Sequence, residues 1–421
     1  MSEIVRVNTP DQIQPAFDAA MESLFPDSPP VRLGLGLSGG GDSMSLLLLL
    51  VNWARQNGTI VEALSVDHGF RPEAKDEIAL AARQCAALGV AHQSNDWRWD
   101  GGGNLQDAAR QARRAAFSEW QQTAKLDAVA LGHTADDQAE TVLLRLARGS
   151  GVDGLAAMEP RSTQPNLILI RPLLGLRRAD LRAYLSAKGA SWADDPSNDD
   201  PRFDRVRARQ LLSALAPLGL TVDRLTRTAQ QMQSARTVLR RAARHQAVET
   251  VAMDRGDLML DLAALEATEF ETAHRVLAAA LSFVSGQQYR PRFDRLAQTL
   301  ASRKTATLHG CLLTFDAERL RVSREPAAVA GLACAPDQVW DGRWRLIGPA
   351  QDGMEIRALS EAGLHQCTEW RNAGLPRQSL AASPSIWLED RLVAAPLAGL
   401  ENGWSAELLP EKANFAAYLP L

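Results

Sequence analysis

The sequence predicts an α/β fold in three parts: a parallel-sheet domain, a helical middle domain and a small β-rich C-terminal domain. Three observations carry this expectation. Apolar runs alternate with amphipathic stretches through the first half of the chain. A glycine cluster stands at the first junction of that alternation. Past Pro217-Leu218-Gly219 the pattern changes to one long helical stretch, and later to short strand-like runs separated by Pro and Gly. A chain of 421 residues exceeds an ordinary single core, so division into 1–218, 219–330 and 338–421 is expected. Hydrophobic content of 46% with 23% charged residues fits a globular protein rather than a disordered or membrane-spanning one.

The elements follow in order. VRLGLGL (31–37) reads as a buried strand, followed by a helix to about Gly58. IVEALSV (60–66) is a second strand, and an amphipathic helix over 72–89 ends at Gly89. The break Asp100-Gly101-Gly102-Gly103-Asn104 precedes a helix at 105–124, and DAVALG (127–132) is a further strand with a helix behind it. This β-α-β-α order argues for a parallel sheet with right-handed crossovers and helices on both faces. In such sheets ligands sit beyond the carboxyl ends of the strands. Ser38–Ser43, Asp67-His68-Gly69 and Gly132-His133 each follow a strand directly, so all three are expected on one rim. Residues 222–248 predict one long helix carrying Arg224, Arg227, Arg236, Arg240, Arg241 and Arg244. Short strands are expected at TATLHG, CLLTFD and LRVSRE, then an Ala/Pro-rich linker over 326–337, then strands within VWDGRWRLIG, SIWLED and LVAAPLAG.

The glycine cluster is the most specific feature. Ser38-Gly39-Gly40-Gly41-Asp42-Ser43 joins a strand to a helix. Bare backbone there lets N–H groups converge on phosphate oxygens, and the helix N-terminus adds partial positive charge. A carboxylate inside such a loop repels phosphate unless a divalent cation intervenes, so Asp42 predicts a nucleotide with Mg²⁺. A Walker A reading fails because no lysine precedes Ser43. A dinucleotide fingerprint is formally present at Gly34, Gly36 and Gly39, but it leaves SGGGDS unexplained.

Other classes are disfavoured. Cys85, Cys311, Cys334 and Cys367 are scattered without C-x-x-C spacing, so no disulfide framework or zinc knuckle is read. The apolar run 46–51 is far too short to span a bilayer. The N-terminal residues MSEIVRVNTPDQ carry acids and no apolar signal core, which makes the cytoplasm the expected compartment. A net charge of −4 means that any RNA contact must come from local basic faces.

A second constellation follows the strand DAVALG: Gly132-His133-Thr134-Ala135-Asp136-Asp137-Gln138-Ala139-Glu140-Thr141. A helix beginning near Thr134 puts Asp137 and Glu140 on one face, with His133 four residues before Asp137. Helix capping by Thr134 or Asp136 explains one or two of these groups. It does not explain their gathering on the same rim as the phosphate loop. A metalloprotease-type zinc site lacks its second histidine.

SGGGDS resembles the PP-loop of the ATP pyrophosphatase superfamily, which splits ATP between its α- and β-phosphates and adenylates a carbonyl. GHTADDQAET, ARQARRAAF (109–117), LILIRPLLGLRRADLRAYLSAKGASWADDPSN (167–198), FDRVRAR (203–209) and LPRQSLAASPSIWLEDRLVAAP (375–396) together resemble the tRNA(isoleucine)-lysidine synthetase family. Arg114 stands where that family usually has tyrosine, and Val206 where it usually has asparagine. The resemblance implies an ATP-dependent ligase that joins lysine to the wobble cytidine of a CAU-anticodon isoleucine tRNA. Its expected ligands are ATP, Mg²⁺, L-lysine and tRNA; no membrane partner is expected, and a homodimer is left open.

The roles implied are these. Ser38, Gly39, Gly40, Gly41, Asp42 and Ser43 cradle the phosphates, and Asp42 and Asp137 hold Mg²⁺. Arg113 and His133 stabilise charge on the α-phosphate or pyrophosphate. Asp137 and Glu140 receive the lysine ammonium, with the role of base open to either. Asp67-His68 line the adenine side. Arg205, Arg207, Arg236 and Arg240 contact tRNA, in positioning rather than specifying contacts. DPSN (195–198) reads as a turn and cap. The rival readings are a PP-loop tRNA thiolase, disfavoured because Cys85 lies in an apolar helix, an amidotransferase-type PP-loop ligase, which lacks a glutaminase nucleophile, and a non-catalytic ATP- and tRNA-binding protein.

Overall fold

In the computed structural model, residues 9–419 are described apart from 68, 70–73, 100–104, 165, 194–201, 203, 288–290 and 292. The chain divides into two compact units, Met1–Arg236 and Thr237–Leu421.

The first unit is built on β1 (Arg32–Gly36), β2 (Ile60–Asp67), β3 (Ala91–Asp96), β4 (Ala128–Leu131), β5 (Arg161–Gln164) and β6 (Leu167–Ile170). Their spatial order is β3-β2-β1-β4-β6-β5, parallel throughout except for β5, which returns antiparallel beside β6. The connecting helices are α1 (Ile13–Leu24), α2 (Gly41–Asn57), α3 (Ala74–Leu88), α4 (Leu105–Thr123), α5 (Ala135–Ala147), α6 (Val152–Leu155), α7 (Arg178–Ala187) and α8 (Asp204–Leu215). The alternation of strand side chains sorts them into two cores. Leu33, Leu35, Ala63, Ala128 and Ala130 face α1, α2, α3 and α7 through Phe17, Leu46, Cys85 and Leu181. Leu64, Val129, Leu167 and Leu169 face Phe117 and Trp120 of α4.

Two glycines of the formal dinucleotide fingerprint belong to this packing. A Cβ on Gly34 would lie 2.6 Å from Trp120, and one on Gly36 would lie 2.7 Å from Phe117. They admit α4 onto the sheet.

The order of strands reverses between β1 and β4. The chain leaves β1 toward β2 and leaves β4 toward β6, so the loops after them part and open a crevice beyond their carboxyl ends. The phosphate loop and the Gly132–Glu140 segment are the walls of that crevice.

Helix α9 (Val222–Thr250) spans the division between the units. The second unit has a five-stranded antiparallel sheet of order β7-β8-β11-β10-β9, from β7 (Val251–Asp254), β8 (Asp257–Asp261), β9 (Ala306–Leu308), β10 (Cys311–Phe315) and β11 (Arg319–Arg324). Val276, Leu277, Leu281 and Val284 of α11 (Phe270–Ser285) pack on it, flanked in sequence by α10 (Leu262–Glu266) and α12 (Phe293–Ser302). The remainder is β-rich: β12 (Ala333–Cys334), β14 (Met354–Ala358), β15 (Pro384–Leu388) and β16 (Arg391–Ala394) form one sheet, and β13 (Trp344–Ile347) pairs with β17 (Ser405–Leu408). The stretch 326–337 is not a bare linker, because β12 pairs antiparallel with β14. Among the described residues no helix is long and apolar enough to cross a membrane.

Candidate functional site

The phosphate loop turns sharply after β1. Gly39 has φ +82, a conformation that side-chain-bearing residues rarely adopt, and its carbonyl accepts the Ala193 N–H at 3.0 Å. Gly40 is the N-cap of α2 and offers no side chain to the first-turn amides. The donors at this helix start therefore have no side-chain cap, which is the condition for anion binding. Ser43 Oγ donates to the Gly40 carbonyl at 3.0 Å and lies 3.1 Å from Ser38 Oγ, so the two hydroxyls brace the loop.

The segment after β4 lies directly against this loop. A Cβ on Gly132 would meet Ser43 Cα and N at 3.1 Å and the Asp42 carbonyl carbon at 3.2 Å. Backbone touches backbone, which brings the two constellations onto one rim.

Thr134 is the N-cap of α5. Its N–H and hydroxyl both donate to Asp137 Oδ2 at 2.8 Å, and its Oγ1 accepts the Asp137 N–H at 3.4 Å, a reciprocal capping box. The residue that closes this cap also lines the cavity beside the phosphate loop. Asp137 Oδ1 accepts from Arg178 at 3.1 Å. Burial alone would raise the Asp137 carboxyl, but Arg178, His133 and the Thr134 hydrogen bonds hold it below the ordinary carboxylate range.

Arg178 is the residue that sequence reasoning missed. Its guanidinium donates to Asp42 Oδ2 at 2.9 Å and to Asp137, and it stands 3.6 Å from Glu140 Oε1. Its backbone N–H donates to Asp136 Oδ2 at 2.8 Å, and the Ala135 N–H donates to the Leu176 carbonyl at 2.9 Å, so the start of α7 is pinned to the start of α5. A local signal existed. Arg177 and Arg178 stand at a helix N-terminus, where the dipole disfavours cations, so carboxylates had to be waiting elsewhere.

Asp42 and Glu140 each keep one buried oxygen, Oδ1 and Oε2, without a hydrogen-bond partner among the described residues. Burial pushes both carboxyls above their ordinary values despite Arg178, and Arg209 also donates to Glu140 Oε1 at 3.0 Å. Burial, opposed by Asp137, lowers His133 to about 4, and its Nδ1 is buried without a partner among the described residues. The imidazole is therefore neutral at pH 7.

These residues line a cavity of about 780 Å³ walled by Ser38, Gly40–Ser43, His133, Asp137 and Glu140. Leu64, Val66, Phe117 and Leu131 form an apolar part. Eight arginines against four carboxylates line the whole, a surplus of positive charge suited to a polyphosphate. Arg113 is among them, and burial together with Arg110 and Arg205 lowers its ordinarily very high pKa.

The remaining predicted residues fall as follows. Arg205 is exposed and lines the cavity. Arg207 is exposed and ion-paired with Asp204. Arg236, expected to contact tRNA, is 7% exposed and holds Glu159 at 2.7 Å, a pair inside the first unit. Arg240 is half-buried. Asp67 closes a turn by accepting the Gly69 N–H at 2.8 Å, while His68 and the DPSN turn lie outside the described residues. Cys85 is fully buried, and burial raises its thiol to about 11, which makes it a poor sulfur carrier.

For Mg²⁺ the donor set fits. Among the described residues there is no three-ligand protein cage, and Asp42 presents one unsatisfied buried oxygen at the phosphate loop. Mg²⁺ is commonly bound in this way, by one or two carboxylates plus substrate phosphates.

An uncapped helix start after β1, at a switch point in a parallel sheet and facing a carboxylate-bearing helix, defines an ATP-using PP-loop enzyme. A PP-loop domain is matched over residues 13–215. A tRNA(Ile)-lysidine synthase of Ruegeria pomeroyi is 44% identical across 403 residues, 95% of this chain and 96% of its own. That of Hyphomonas neptunium is 37% identical over 74% of this chain and 86% of its own, and that of Rhizobium meliloti 34% over 85% and 82%. The chain belongs to the tRNA(Ile)-lysidine synthase family, C–N ligases that modify tRNA.

Proposed function

We propose that this chain uses ATP to join L-lysine to C2 of the wobble cytidine in a CAU-anticodon isoleucine tRNA, releasing AMP and pyrophosphate. The observation that carries the reading is the contact of Gly132 with Ser43, which places an acidic helix start beside a phosphate loop in one cavity. A pyrimidine carbonyl oxygen is a poor leaving group. Its attack on the α-phosphate expels pyrophosphate and converts the oxygen into part of AMP. The neutral ε-amine of lysine then attacks C2, and AMP departs with that oxygen.

In this reading the first-turn amides of α2 and the two serine hydroxyls hold the phosphates. Mg²⁺ on Asp42 supplies neutralisation of the pyrophosphate charge. Arg113 and the neutral His133 donate hydrogen bonds to phosphoryl oxygens, and these contacts gain strength as charge develops in a site with little water. The carboxylates of α5 receive the lysine ammonium. Glu140, raised by burial, is suited to take the proton that the ammonium must lose. Arg205, Arg207 and Arg240, with the segments 219–330 and 338–421, meet the tRNA backbone; Arg236 is left out of that set. The reading places the enzyme in the cytoplasm, and a homodimer is tested by light scattering.

Incubation with ATP, labelled lysine and unmodified isoleucine and methionine tRNAs tests the reading. AMP release with lysine incorporated only into the isoleucine tRNA is expected. Transfer of sulfur, or tRNA binding with no AMP release, refutes it.

A further inference from the structure

Three carboxylates from two elements surround one guanidinium. Asp42 comes from α2, and Asp137 and Glu140 from α5. Their oxygens are not equivalent. Asp137 has both oxygens engaged: Oδ2 takes two donors from Thr134 and Oδ1 takes Arg178. Asp42 gives Oδ2 to Arg178 and keeps Oδ1 buried and unpartnered. Glu140, 1% exposed, gives Oε1 to Arg209, with Arg178 3.6 Å from the same oxygen, and keeps Oε2 buried and unpartnered. The two orphaned acceptors belong to the two carboxylates that flank Asp137 in this cluster. Leaving such atoms buried without a donor is unfavourable unless a ligand completes them.

We propose that Arg178 is a positioning residue that divides the acidic cluster into two separate cation sites, reserving Asp42 Oδ1 for Mg²⁺ and Glu140 Oε2 for the lysine ammonium. This rests on the lysine-ligase reading above and refines it, because Asp137 becomes the carboxylate that orients Arg178 rather than a ligand of either cation. The physical reason is charge. Three carboxylates sharing one basin would draw a divalent ion to the group as a whole, and a monovalent ammonium would lose that competition. A planar guanidinium bridging Asp42 and Asp137 prevents their joint use, and its fork geometry fixes the direction in which each remaining oxygen points. The backbone bond from Arg178 to Asp136 anchors the start of its helix, and the side-chain bonds to Asp42 and Asp137 place the guanidinium.

The test is the coupling between Mg²⁺ and lysine, read by calorimetry of L-lysine binding to the full-length enzyme with a non-hydrolysable ATP analogue, at low and high Mg²⁺. In the parent, lysine affinity is expected to be nearly independent of Mg²⁺. In Arg178→Gln, high Mg²⁺ is expected to weaken lysine binding about tenfold, the size of an ordinary coupling between sites. Arg178→Lys restores the independence only in part, because an ammonium cannot span two carboxylates as a fork does. A merely structural role would lower affinity equally at both Mg²⁺ levels. Thermal shift with Mg²⁺ alone is the second readout. Arg178→Gln, with its cluster uncompensated, is expected to gain more stability from the ion than the parent does. Should Arg178→Gln fail to fold, Arg178→Lys reads the same coupling at intermediate size. Lysine affinity equally insensitive to Mg²⁺ in the parent and the variants overturns the partition and leaves the ligase reading standing. Parent enzyme that binds no lysine overturns both.

Discussion

Gly132→Ala probes the packing that unites the two halves of the site. The added methyl would stand 3.1 Å from Ser43 Cα and N and 3.2 Å from the Asp42 carbonyl carbon. Ordinary carbon contacts lie at roughly 3.5–4.0 Å, so the loop after β4 must move from α2 by about 0.4–0.9 Å. No flexible side-chain end is available to yield, since every atom met is backbone at a helix start. Overpacking of this kind costs about 1–3 kcal/mol. For a unit of this size that is a Tm decrease of roughly 2–12 °C. Catalysis suffers more than stability, because a displacement near 1 Å between reacting groups can lower a rate by about 100-fold. The expected result is a folded enzyme whose kcat for AMP release falls about 10–100-fold. The control is Gly175→Ala, whose Cβ meets nothing within 4 Å, and which is expected to stay within about 0.5 kcal/mol of the parent. The assays are calorimetric melting and single-turnover AMP release. Parent-like kcat and Tm in Gly132→Ala would show that the two loops do not meet, and the argument for one shared cavity fails with them.

Asp42→Asn is expected to lower AMP release by at least about 100-fold and to abolish its response to a Mg²⁺ titration, since only a carboxylate suits the ion here. Retained turnover with an unchanged Mg²⁺ midpoint would remove Asp42 from the metal site. His133, lowered to about 4, is neutral in the folded state and titrates near its ordinary value when unfolded. The unfolded chain therefore binds more protons between about pH 6.5 and 4, and stability falls as the pH drops through that window. His133→Gln is expected to flatten this acid limb of the Tm–pH profile, and an unaltered limb would refute the assignment. Bound ATP is expected to move the His133 titration upward by NMR, because phosphate charge favours the imidazolium. Arg205→Ala is expected to reduce the salt slope of tRNA binding by about 1 with no loss of stability, whereas Arg236→Ala leaves the slope intact and lowers Tm. The reverse pattern would mean that the buried Arg236–Glu159 pair opens to RNA.

The path β1-α2-β2-α3 and the later α4-β4-α5 were legible because glycines punctuate clear periodicity. Gly58 and Gly89 carry positive φ at the ends of α2 and α3, and the strands between are near-continuous apolar runs. Strand β3, AHQSND, was not legible, since its side chains are mostly exposed at the sheet edge and show no apolar period. The β7–β8 hairpin hides between helices, marked only by Arg255-Gly256, both at positive φ. β12 is two residues within an Ala/Pro-rich stretch and exists by pairing with β14, a partner distant in sequence. At the site, the residues on the two loops were readable because each loop is local. Arg178 was not, for its meaning lies in partners that come 136 and 41 residues earlier in the chain.

Asp137 shows why local explanation and functional explanation should not be set against each other. Its place three residues after Thr134 is sufficient for a capping box, and the box forms. The same bonds remove one of its oxygens from competition and turn the other toward Arg178. A capped carboxylate is a rigid one, with its direction fixed by two backbone-proximal donors before any substrate binds. Pre-set acceptors and donors lower the reorganisation needed when charge moves, which is the dominant electrostatic contribution in many active sites. Helix capping is thus the means by which this fold orients Asp137 toward Arg178. Asp137→Asn should therefore loosen Arg178 as well as α5. An asparagine amide nitrogen facing either Thr134 or Arg178 offers a donor where an acceptor is required. The expected outcome is a combined loss, with Tm lowered by the weakened cap and lysine affinity made sensitive to Mg²⁺ as in Arg178→Gln. A variant that loses the cap stability alone, with Mg²⁺ and lysine still independent, would separate the two roles and refute this last step.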